Sequence, residues 1–204
     1  MTMKPKITDI SQLDLNRTYS YADYLTWWFE ERVELFKGKI HKVDKTPKRI
    51  HSEVRGKIVM ALWEFIKEND FEVYTAPFDV RLNKNQNLSH HENYTVVQPD
   101  IVVICNKDIL DDLGANGAPD LIIEILSPST IKKDYTEKFN LYEENAVKEY
   151  WLVNPEGKSL QIYHLEDDKY EELKTYEEKE EIITSKLFKD LKIKMTDVFE
   201  YKVK

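Results

Sequence analysis

Two short apolar segments that each carry a single acid constrain this chain more than any other feature. The first runs from Val96 to Cys105 and contains Asp100, and the second runs from Pro119 to Leu126 and contains Glu124. Both are rich in β-branched residues and bounded by turn residues, which predicts strands covered on both faces. Because burying an unpaired carboxylate is costly, each acid should meet a cation, a metal ion or a strong hydrogen-bond donor.

The chemistry of the two acids indicates which metal could lie between them. Carboxylate oxygens are hard ligands, and the chain has only one cysteine and no clustered set of histidines to support zinc or copper. The sequence therefore predicts Mg²⁺ or Mn²⁺ at Asp100 and Glu124. Such an ion can neutralise charge that develops on a phosphodiester, so the pattern points to phosphate chemistry. The single cysteine, Cys105, is predicted to be a packed thiol.

A helix predicted after the Ser127–Thr130 turn carries a lysine. Asp134, Lys138 and Tyr142 follow each other at four-residue spacing, which places them on one stripe of a helix. Lys138 is predicted to be the cationic partner of the two acids. The alternative is an exposed Asp–Lys pair beside a half-buried tyrosine.

The N-terminal part of the chain supplies a third acid. Residues 1–18 lack periodicity and are predicted to form an irregular arm, while Ser20 to Trp28 shows helical spacing with Ser20 as the cap. Arg32 to Val43 is predicted to form a tight hairpin with glycine in its turn. Glu34 lies on the first strand of this hairpin, where a solvent-facing glutamate is an equally good interpretation.

The middle of the chain alternates between a helix and further strands. Apolar residues at helical spacing predict an amphipathic helix from about Pro47 to Asn69, with His51 in its first turn. A strand from Phe71 to Leu82 with an interruption at Pro77 follows, and residues 83–93 form a polar loop whose two histidines we interpret as surface residues.

The C-terminal part is predicted to be β-rich and to complete a mixed sheet. One strand covers Glu149 to Val153, and a turn leads from it into Ser159 to Leu165. The chain shows no linker, so residues 19–204 are predicted to be one domain. The remaining predicted elements are strands around Tyr170–Tyr176, Glu181–Thr184 and Leu191–Met195, and a closing turn at Val198–Tyr201.

The charge of the chain is unevenly distributed. The formal net charge is -8, but Lys37 to Lys57 holds eight lysines and arginines against Asp44 and Glu53. Glu166 to Glu181 holds nine acids against three lysines. A basic surface near the carboxylates could meet phosphates, although solvated surface charge explains each run equally well. No apolar stretch is long enough for a membrane span and no secretory leader is evident, so we expect a cytoplasmic protein.

The motifs together resemble a known family. They are Val97-Gln98-Pro99-Asp100, the run from Gly117 to Thr130, Asp134 with Lys138 and Tyr142, and Glu149 to Val153. This combination is similar to the Uma-two family of predicted endonucleases, long catalogued as a domain of unknown function and part of the restriction-endonuclease-like PD-(D/E)XK superfamily. The resemblance covers nearly the whole chain, from the hairpin to Phe199.

This resemblance implies a fold, a substrate and a set of site residues. The implied fold is α/β (α+β), a mixed central sheet flanked by helices with an N-terminal hairpin and C-terminal antiparallel strands, and homodimers are common among the relatives. The two motif acids fall on Asp100 and Glu124. Leu126 stands where a lysine is usual, which moves that role to Lys138, and Glu34 matches the hairpin glutamate. Supporting roles fall on Gln98, as a residue that could orient water, and on His51 and Tyr142.

Three functions are compatible with these residues. The leading hypothesis is a Mg²⁺-dependent endonuclease that hydrolyses DNA phosphodiester bonds. The second is a catalytically silent nucleic-acid-binding or regulatory module of the same fold, in which the acids and the lysine form a buried ion network. The third is a metal-dependent hydrolase of another phosphate or ester. The overall acidity keeps the second hypothesis open, because a duplex nuclease benefits from a positive cleft.

Overall fold

A computed structural model describes residues 6–43, 48–67, 69–84, 88–177, 179 and 181–200. The chain divides into two compact units, which are described separately. The first unit comprises Met1–Thr46, Asp79–Gln98 and Ile109–Ala118, and the second comprises Pro47–Phe78, Pro99–Asp108 and Pro119–Lys204. The single domain expected for residues 19–204 stays a prediction.

The helices are α1 (Tyr21–Tyr24), α2 (Arg49–Ile66), α3 (Ile131–Lys133), α4 (Phe139–Glu144) and α5 (Met195–Phe199). The strands are β1 (Val33–Phe36), β2 (Lys39–Lys42), β3 (Glu72–Thr75), β4 (Val80–Arg81), β5 (Val96–Val97), β6 (Ile101–Ile104), β7 (Leu110–Asp111), β8 (Gly114–Asn116), β9 (Leu121–Ile125), β10 (Glu149–Asn154), β11 (Ser159–Glu166), β12 (Lys169–Tyr176), β13 (Ile182–Thr184) and β14 (Lys192–Lys194). Short 3₁₀ turns cover Ile10–Gln12 and Lys107–Ile109, and a π-helical turn covers Asp134–Lys138.

The first unit contains a sheet with the strand order β2-β1-β5-β4-β8-β7. The predicted hairpin is confirmed, since β1 pairs with β2 in antiparallel register. Its turn needs glycine at Gly38, where φ is +80° and an added Cβ would lie 2.2 Å from the side chain of Thr18. Ser20 caps α1 as predicted, but the helix ends at Tyr24, four residues before the predicted end.

One predicted strand is wrong as a continuous element, and the interruption predicted in another at Pro77 is confirmed. The segment from Val96 to Cys105 divides into β5, which pairs with β1 and β4, and β6, which pairs with β3 and β9 in a different sheet. Pro99 lies at the break, where its missing N–H cannot continue a ladder of hydrogen bonds. The segment from Phe71 to Leu82 divides in the same way into β3 and β4, with Pro77 between them.

The second unit contains the mixed sheet that carries the predicted acids. Its strand order is β12-β11-β10-β9-β6-β3, in which only the β9–β10 pair is parallel. The strand of Glu124, β9, is therefore flanked on both sides. Helix α2 buries Val54, Ile58 and Leu62 at four-residue spacing in the same hydrophobic core as Ile123 and Trp151.

The C-terminal segments differ from the prediction in two respects. Strands β13 and β14 pair with each other as a separate two-stranded sheet instead of completing the mixed sheet. The predicted closing turn is helix α5, whose Met195, Val198 and Phe199 join the core beside α2. Some predicted features fall outside the described residues: Asp44 and Lys45 of the basic run, residues 85–87 of the loop, Glu178 and Glu180 of the acidic run, and Tyr201.

The only cysteine is half-buried at the end of β6. The backbone N–H of Cys105 donates to Oδ2 of Asp120 at 2.7 Å. Burial, together with the nearby Asp120 carboxylate, raises the pKa of the Cys105 thiol to about 12. The packed thiol predicted from the sequence agrees with these contacts. None of the helices in the described ranges is long and apolar enough to cross a membrane.

A buried carboxylate at the start of β10 gives the stability of the protein a pH dependence. Glu149 is fully buried, and it accepts hydrogen bonds from the Ser185 hydroxyl and from the backbone N–H of Lys186. Burial nevertheless raises the pKa of Glu149 above its ordinary value of 4.5. Between pH 4.5 and the raised pKa, the folded state keeps a proton on Glu149 that the unfolded chain loses. The stability that protonated Glu149 contributes is therefore complete below pH 4.5 and is lost as pH rises through the raised pKa.

We expect Glu149→Gln to become more stable relative to the wild type as pH rises above 4.5. Glutamine keeps an acceptor for the Lys186 N–H and carries no charge that must be buried. Urea unfolding across this pH range measures the difference. A difference in unfolding free energy that does not change with pH would contradict the burial of an ionisable Glu149.

Candidate active site

The two acids predicted to form the site lie at matching positions of neighbouring antiparallel strands. In the β6–β9 pair, Ile101 lies opposite Ile123, and extending this register by one residue places Asp100 opposite Glu124. Residues directly opposite each other in an antiparallel pair project from the same face of the sheet. In agreement, Oδ2 of Asp100 accepts a hydrogen bond of 2.9 Å from the N–H of Ile125, the residue after Glu124.

Helix α2 supplies a second donor to the same carboxylate. Nε2 of His51 lies 3.1 Å from Oδ2 of Asp100, and both side chains are mostly buried. The other ring nitrogen of His51, Nδ1, is buried and has no hydrogen-bond partner among the residues that the structure describes. We therefore assign the ring proton to Nε2, which donates to Asp100. Two donors then converge on Oδ2 and hold the Asp100 carboxylate in place, while Oδ1 takes part in neither bond.

Glu124 receives its donors from the helical segment that follows β9. Nζ of Lys138 donates to Oε1 of Glu124 at 2.7 Å, and the hydroxyl of Tyr142 donates to the same oxygen at 2.6 Å. All three side chains are buried, so the contact is a desolvated ion pair with an added neutral donor. Leu126, which stands at the position of the usual lysine, is buried and cannot supply a charge.

Lys138 lies at the end of a π-helical turn, which places its side chain beside Glu124. This turn covers Asp134 to Lys138 and connects α3 to α4, so the segment contains one wider turn than the regular helix expected from the spacing. The side chain of Asp134 is buried, and its Oδ1 lies 4.0 Å from Nζ of Lys138. Asp134 is therefore a further residue of the cluster around Lys138. The four-residue spacing of Asp134 and Lys138 in the sequence indicated that the two side chains lie close together.

Tyr150 shows the electrostatic character of this cluster. Its hydroxyl donates to the backbone carbonyl of Asp134 at 3.1 Å. Complete burial, together with the negative charges of Glu124 and Asp134, raises the pKa of Tyr150 well above its ordinary value. Tyr150 therefore keeps its proton and fixes the backbone of the π-helical turn.

Glu34 is found in the first unit, on strand β1. Its side chain is buried, so the solvent-facing interpretation is wrong. Oε1 of Glu34 accepts a hydrogen bond of 3.0 Å from the backbone N–H of Gln98. A buried hairpin glutamate is a stronger candidate for a specific role than an exposed one, and the predicted catalytic role of Glu34 stays a prediction.

The side chain of Gln98 is fully engaged within the first unit. Its amide oxygen accepts from Nε and Nη2 of Arg32 at 3.0 and 2.8 Å. Its amide nitrogen donates to Oδ1 of Asp79 at 2.7 Å and to the hydroxyl of Tyr24 at 3.2 Å. A primary amide has two donor and two acceptor positions, and all four are occupied here. These contacts favour a role in positioning the backbone over the predicted role in orienting water.

Comparison with known proteins identifies the family. A family model for Uma2, described as "Putative restriction endonuclease", matches residues 21–196. The chain belongs to the Uma2 family. A relative in Synechocystis, "Uncharacterized protein slr1290", is 28% identical over 152 residues, which are 73% of this chain and 75% of the relative.

A solved structure confirms the fold of this Uma2 chain. The crystal structure of a "putative nuclease belonging to DUF820" from Anabaena variabilis is similar with a TM-score of 0.68 and 19% identity. The match covers 89% of this chain and 98% of the other. The mixed α/β fold and the family predicted from the sequence are both confirmed.

A nuclease family suggests a divalent metal ion. The residues of the candidate site in this Uma2 chain offer oxygen ligands that suit such an ion. Within the described part of the chain, no group of three or more histidine, cysteine, aspartate or glutamate residues is arranged to hold a metal. Mg²⁺ is commonly bound through only one or two carboxylates and keeps several waters. Asp100 and Glu124 provide such a pair of oxygen ligands, and His51 orients the first of them. The donor set fits a hard divalent ion and does not fit a closed zinc site.

Proposed function

We propose that this chain is a metal-dependent endonuclease that hydrolyses DNA phosphodiester bonds at Asp100, Glu124 and Lys138. The observation that carries the proposal is the 2.7 Å contact of the buried Lys138 ammonium with Glu124, across the strand pair from Asp100. It supplies a cation to one of the two acids although Leu126 occupies the usual lysine position. Membership of a family described as "Putative restriction endonuclease" supports the same chemistry.

Each residue has a separate task in this mechanism. Asp100 and Glu124 would hold Mg²⁺ or Mn²⁺. When bound, such an ion would neutralise charge that develops on the phosphate and would favour ionisation of the attacking water. His51 and the Ile125 N–H hold the Asp100 carboxylate in one orientation. Preorganised ligands of this kind do not have to be reoriented during the reaction.

Lys138 would stabilise the negative charge on the reacting phosphate. Its ammonium is buried, and an electrostatic contact in such a site is stronger than the same contact in water. Tyr142 shares Oε1 of Glu124 with the lysine, and Asp134 lies near the ammonium. These neighbours hold the lysine in place. Glu34 lies in the first unit, and its catalytic role stays a prediction that rests on its match to the family's hairpin glutamate.

A binding module remains the competing function, and one observation favours it. The Lys138 ammonium and the Tyr142 hydroxyl donate to the same oxygen of Glu124, which is also what a purely structural ion network would show. Such a module would bind nucleic acid through the same surface without cleaving it.

Cleavage of supercoiled plasmid with Mg²⁺, Mn²⁺ or a chelator tests the proposal. We expect nicked and linear products with either ion and none with the chelator. Glu124→Gln should slow cleavage by about a hundredfold or more, because it removes one of the two carboxylates that would hold the divalent ion. Parallel reactions with single-stranded DNA, duplex DNA and RNA determine the substrate class.

The matched control is Glu144→Gln, which removes an exposed carboxylate from the end of α4 and should cleave like the wild type. Retained DNA binding without ion-dependent cleavage by the wild type would reject the nuclease and support the binding module. Equal cleavage by wild type and Glu124→Gln would remove Glu124 from the mechanism.

A further inference from the structure

Tyr135 is an exposed aromatic residue on the helical segment that carries Lys138. It is 38% exposed, and Ile131, about one turn earlier in the same segment, is 41% exposed. Both residues belong to the second unit, as do Asp100 and Glu124. An exposed tyrosine three residues before the lysine of the proposed active site is a candidate contact for the substrate.

The strand register relates Tyr135 to the two acids of the site. Glu124 of β9 lies beside Leu152 of β10, and Leu152 lies opposite Gln161 of β11. Residues paired in this way project from the same face of a sheet, so Gln161 extends the row that Asp100 and Glu124 begin. Gln161 is two strands away from Glu124, which is roughly 10 Å at the usual spacing of strands.

The helical segment after β9 crosses this row. Nζ of Lys138 donates to Glu124, and the hydroxyl of Tyr135 donates to Oε1 of Gln161. The second hydrogen bond restricts the orientation of the exposed ring. Because only a sugar separates a phosphate from the base of its nucleotide, a base at or beside the reacting phosphate can reach this ring.

The charge around Tyr135 favours an uncharged group of the substrate over a phosphate. Burial, followed by the negative charge of Glu172, raises the pKa of Tyr135, so its hydroxyl stays protonated. Glu172 is an exposed residue of β12 and belongs to the acidic run from Glu166 to Glu181. A phosphate would be repelled at this position, whereas a nucleobase is neutral and offers a π face that stacks on aromatic rings.

We propose that Tyr135 stacks on an unpaired base of the DNA strand whose phosphodiester reacts at the proposed active site, and that Ile131 extends the apolar surface beneath the base. This inference rests on the proposed function and specifies its substrate as a single strand or an unpaired region of a duplex. A paired base is stacked inside the duplex, so its face cannot reach the ring.

The overall charge of the protein agrees with recognition of a base. Binding a duplex through its phosphates requires many cations, and the formal net charge of this chain is -8. Stacking supplies affinity without a cation for each phosphate. A strand held by one stacked base and one metal-bound phosphate therefore suits this chain better than a duplex held along its backbone.

Fluorescence anisotropy with two labelled strands of equal length tests the stacking. One strand is oligothymidylate, and the other has the same phosphates and sugars without bases. A chelator in both titrations prevents ion-dependent cleavage. We expect the wild type to bind the thymidine strand about tenfold more tightly than the abasic strand, and Tyr135→Ala to bind both strands equally weakly.

Two control variants separate the ring from its hydroxyl and from the rest of the surface. Tyr135→Trp keeps a ring and loses the hydroxyl, so it should still prefer the thymidine strand. Tyr94→Ala is the matched control, because Tyr94 is a tyrosine of the first unit that is 45% exposed, and it should bind like the wild type. A Tyr135→Ala chain that keeps the preference, or a Tyr135→Trp chain that loses it, would overturn the proposal, as would a wild type without the preference.

The binding assay distinguishes this inference from the nuclease activity on which it rests. Loss of the preference for bases with intact Mg²⁺-dependent cleavage would reject the stacking and keep the nuclease. A preference that depends on Tyr135 in a wild type that does not cleave would reject the nuclease and keep the stacking. If the wild type cleaves, single abasic positions scanned along a cleaved strand should raise KM about tenfold at one position near the cut, and Tyr135→Ala should show no such position.

Discussion

Lys138→Met is expected to abolish DNA cleavage and to destabilise the protein at the same time. Removing the ammonium takes away charge stabilisation of the reacting phosphate, for which we expect a rate lower by about a hundredfold or more. It also removes the cation from the buried Glu124 carboxylate, to which the Tyr142 hydroxyl still donates. Breaking one side of a buried ion pair costs roughly 3–5 kcal/mol. Urea unfolding and single-turnover cleavage measure the two effects independently.

A double variant separates the two effects. In Glu124→Gln with Lys138→Met, both members of the Glu124–Lys138 ion pair are replaced by neutral side chains, and the Tyr142 hydroxyl can still donate to the glutamine amide oxygen. We expect this chain to recover most of the lost stability, because replacing a whole buried ion pair by neutral groups is often close to neutral. It should remain inactive, since both charged groups of the proposed mechanism are absent.

Lys132→Met is the control for the position of the lysine. Lys132 is an exposed residue of α3, only six residues before Lys138, and should contribute neither to the stability of the buried cluster nor to the rate. If Lys132→Met or Lys133→Met were inactive while Lys138→Met cleaved normally, the lysine would be assigned to the wrong residue.

The local pattern of the sequence predicts the parts of the fold that depend on neighbouring residues. Apolar runs with β-branched residues predict β9 and β10, and helical spacing predicts α2 to within a few residues of its bounds. The hairpin of β1 and β2 follows from its turn residues. Each of these elements is specified by contacts or backbone preferences within a few positions of the chain, which is why the sequence alone reveals them.

The sequence does not reveal which strands share a sheet. The run from Val96 to Cys105 has the composition of one strand, yet β5 and β6 pair in different sheets on either side of Pro99. The residues of β13 and β14 alternate as expected for strands, but the two strands pair with each other and not with the mixed sheet. Such choices depend on long-range pairing, for which periodicity carries no information.

The same limit applies to the candidate site. The spacing of Asp134, Lys138 and Tyr142 predicts a shared stripe, but the π-helical turn that carries Lys138 to Glu124 has no signature in the residues themselves. The side-chain contacts of Gln98 could not be predicted from the sequence, because its partners Arg32 and Tyr24 precede it by 66 and 74 positions. DNA as substrate, the divalent ion and cytoplasmic localisation stay predictions.

Asp100→Asn should remove metal-dependent cleavage while leaving the fold almost unchanged. The amide oxygen of asparagine can still accept the Ile125 N–H, so the main structural contact of the side chain is retained. The variant loses the negative charge that would hold the divalent ion. An ion that contributes several kcal/mol to the transition state corresponds to a rate loss of about a thousandfold when it is no longer held.

Calorimetric titration with Mn²⁺ measures the loss of the ion separately from the loss of activity. We expect Asp100→Asn to bind Mn²⁺ much more weakly than the wild type and to unfold at nearly the same urea concentration. His51→Gln is the matched variant, because glutamine can still donate to Oδ2 of Asp100 while the imidazole is lost, and it should show a smaller loss of affinity. If Asp100→Asn bound Mn²⁺ and cleaved DNA like the wild type, Asp100 would be a structural residue that fixes the start of β6 against β9, and the ion would have to be held elsewhere.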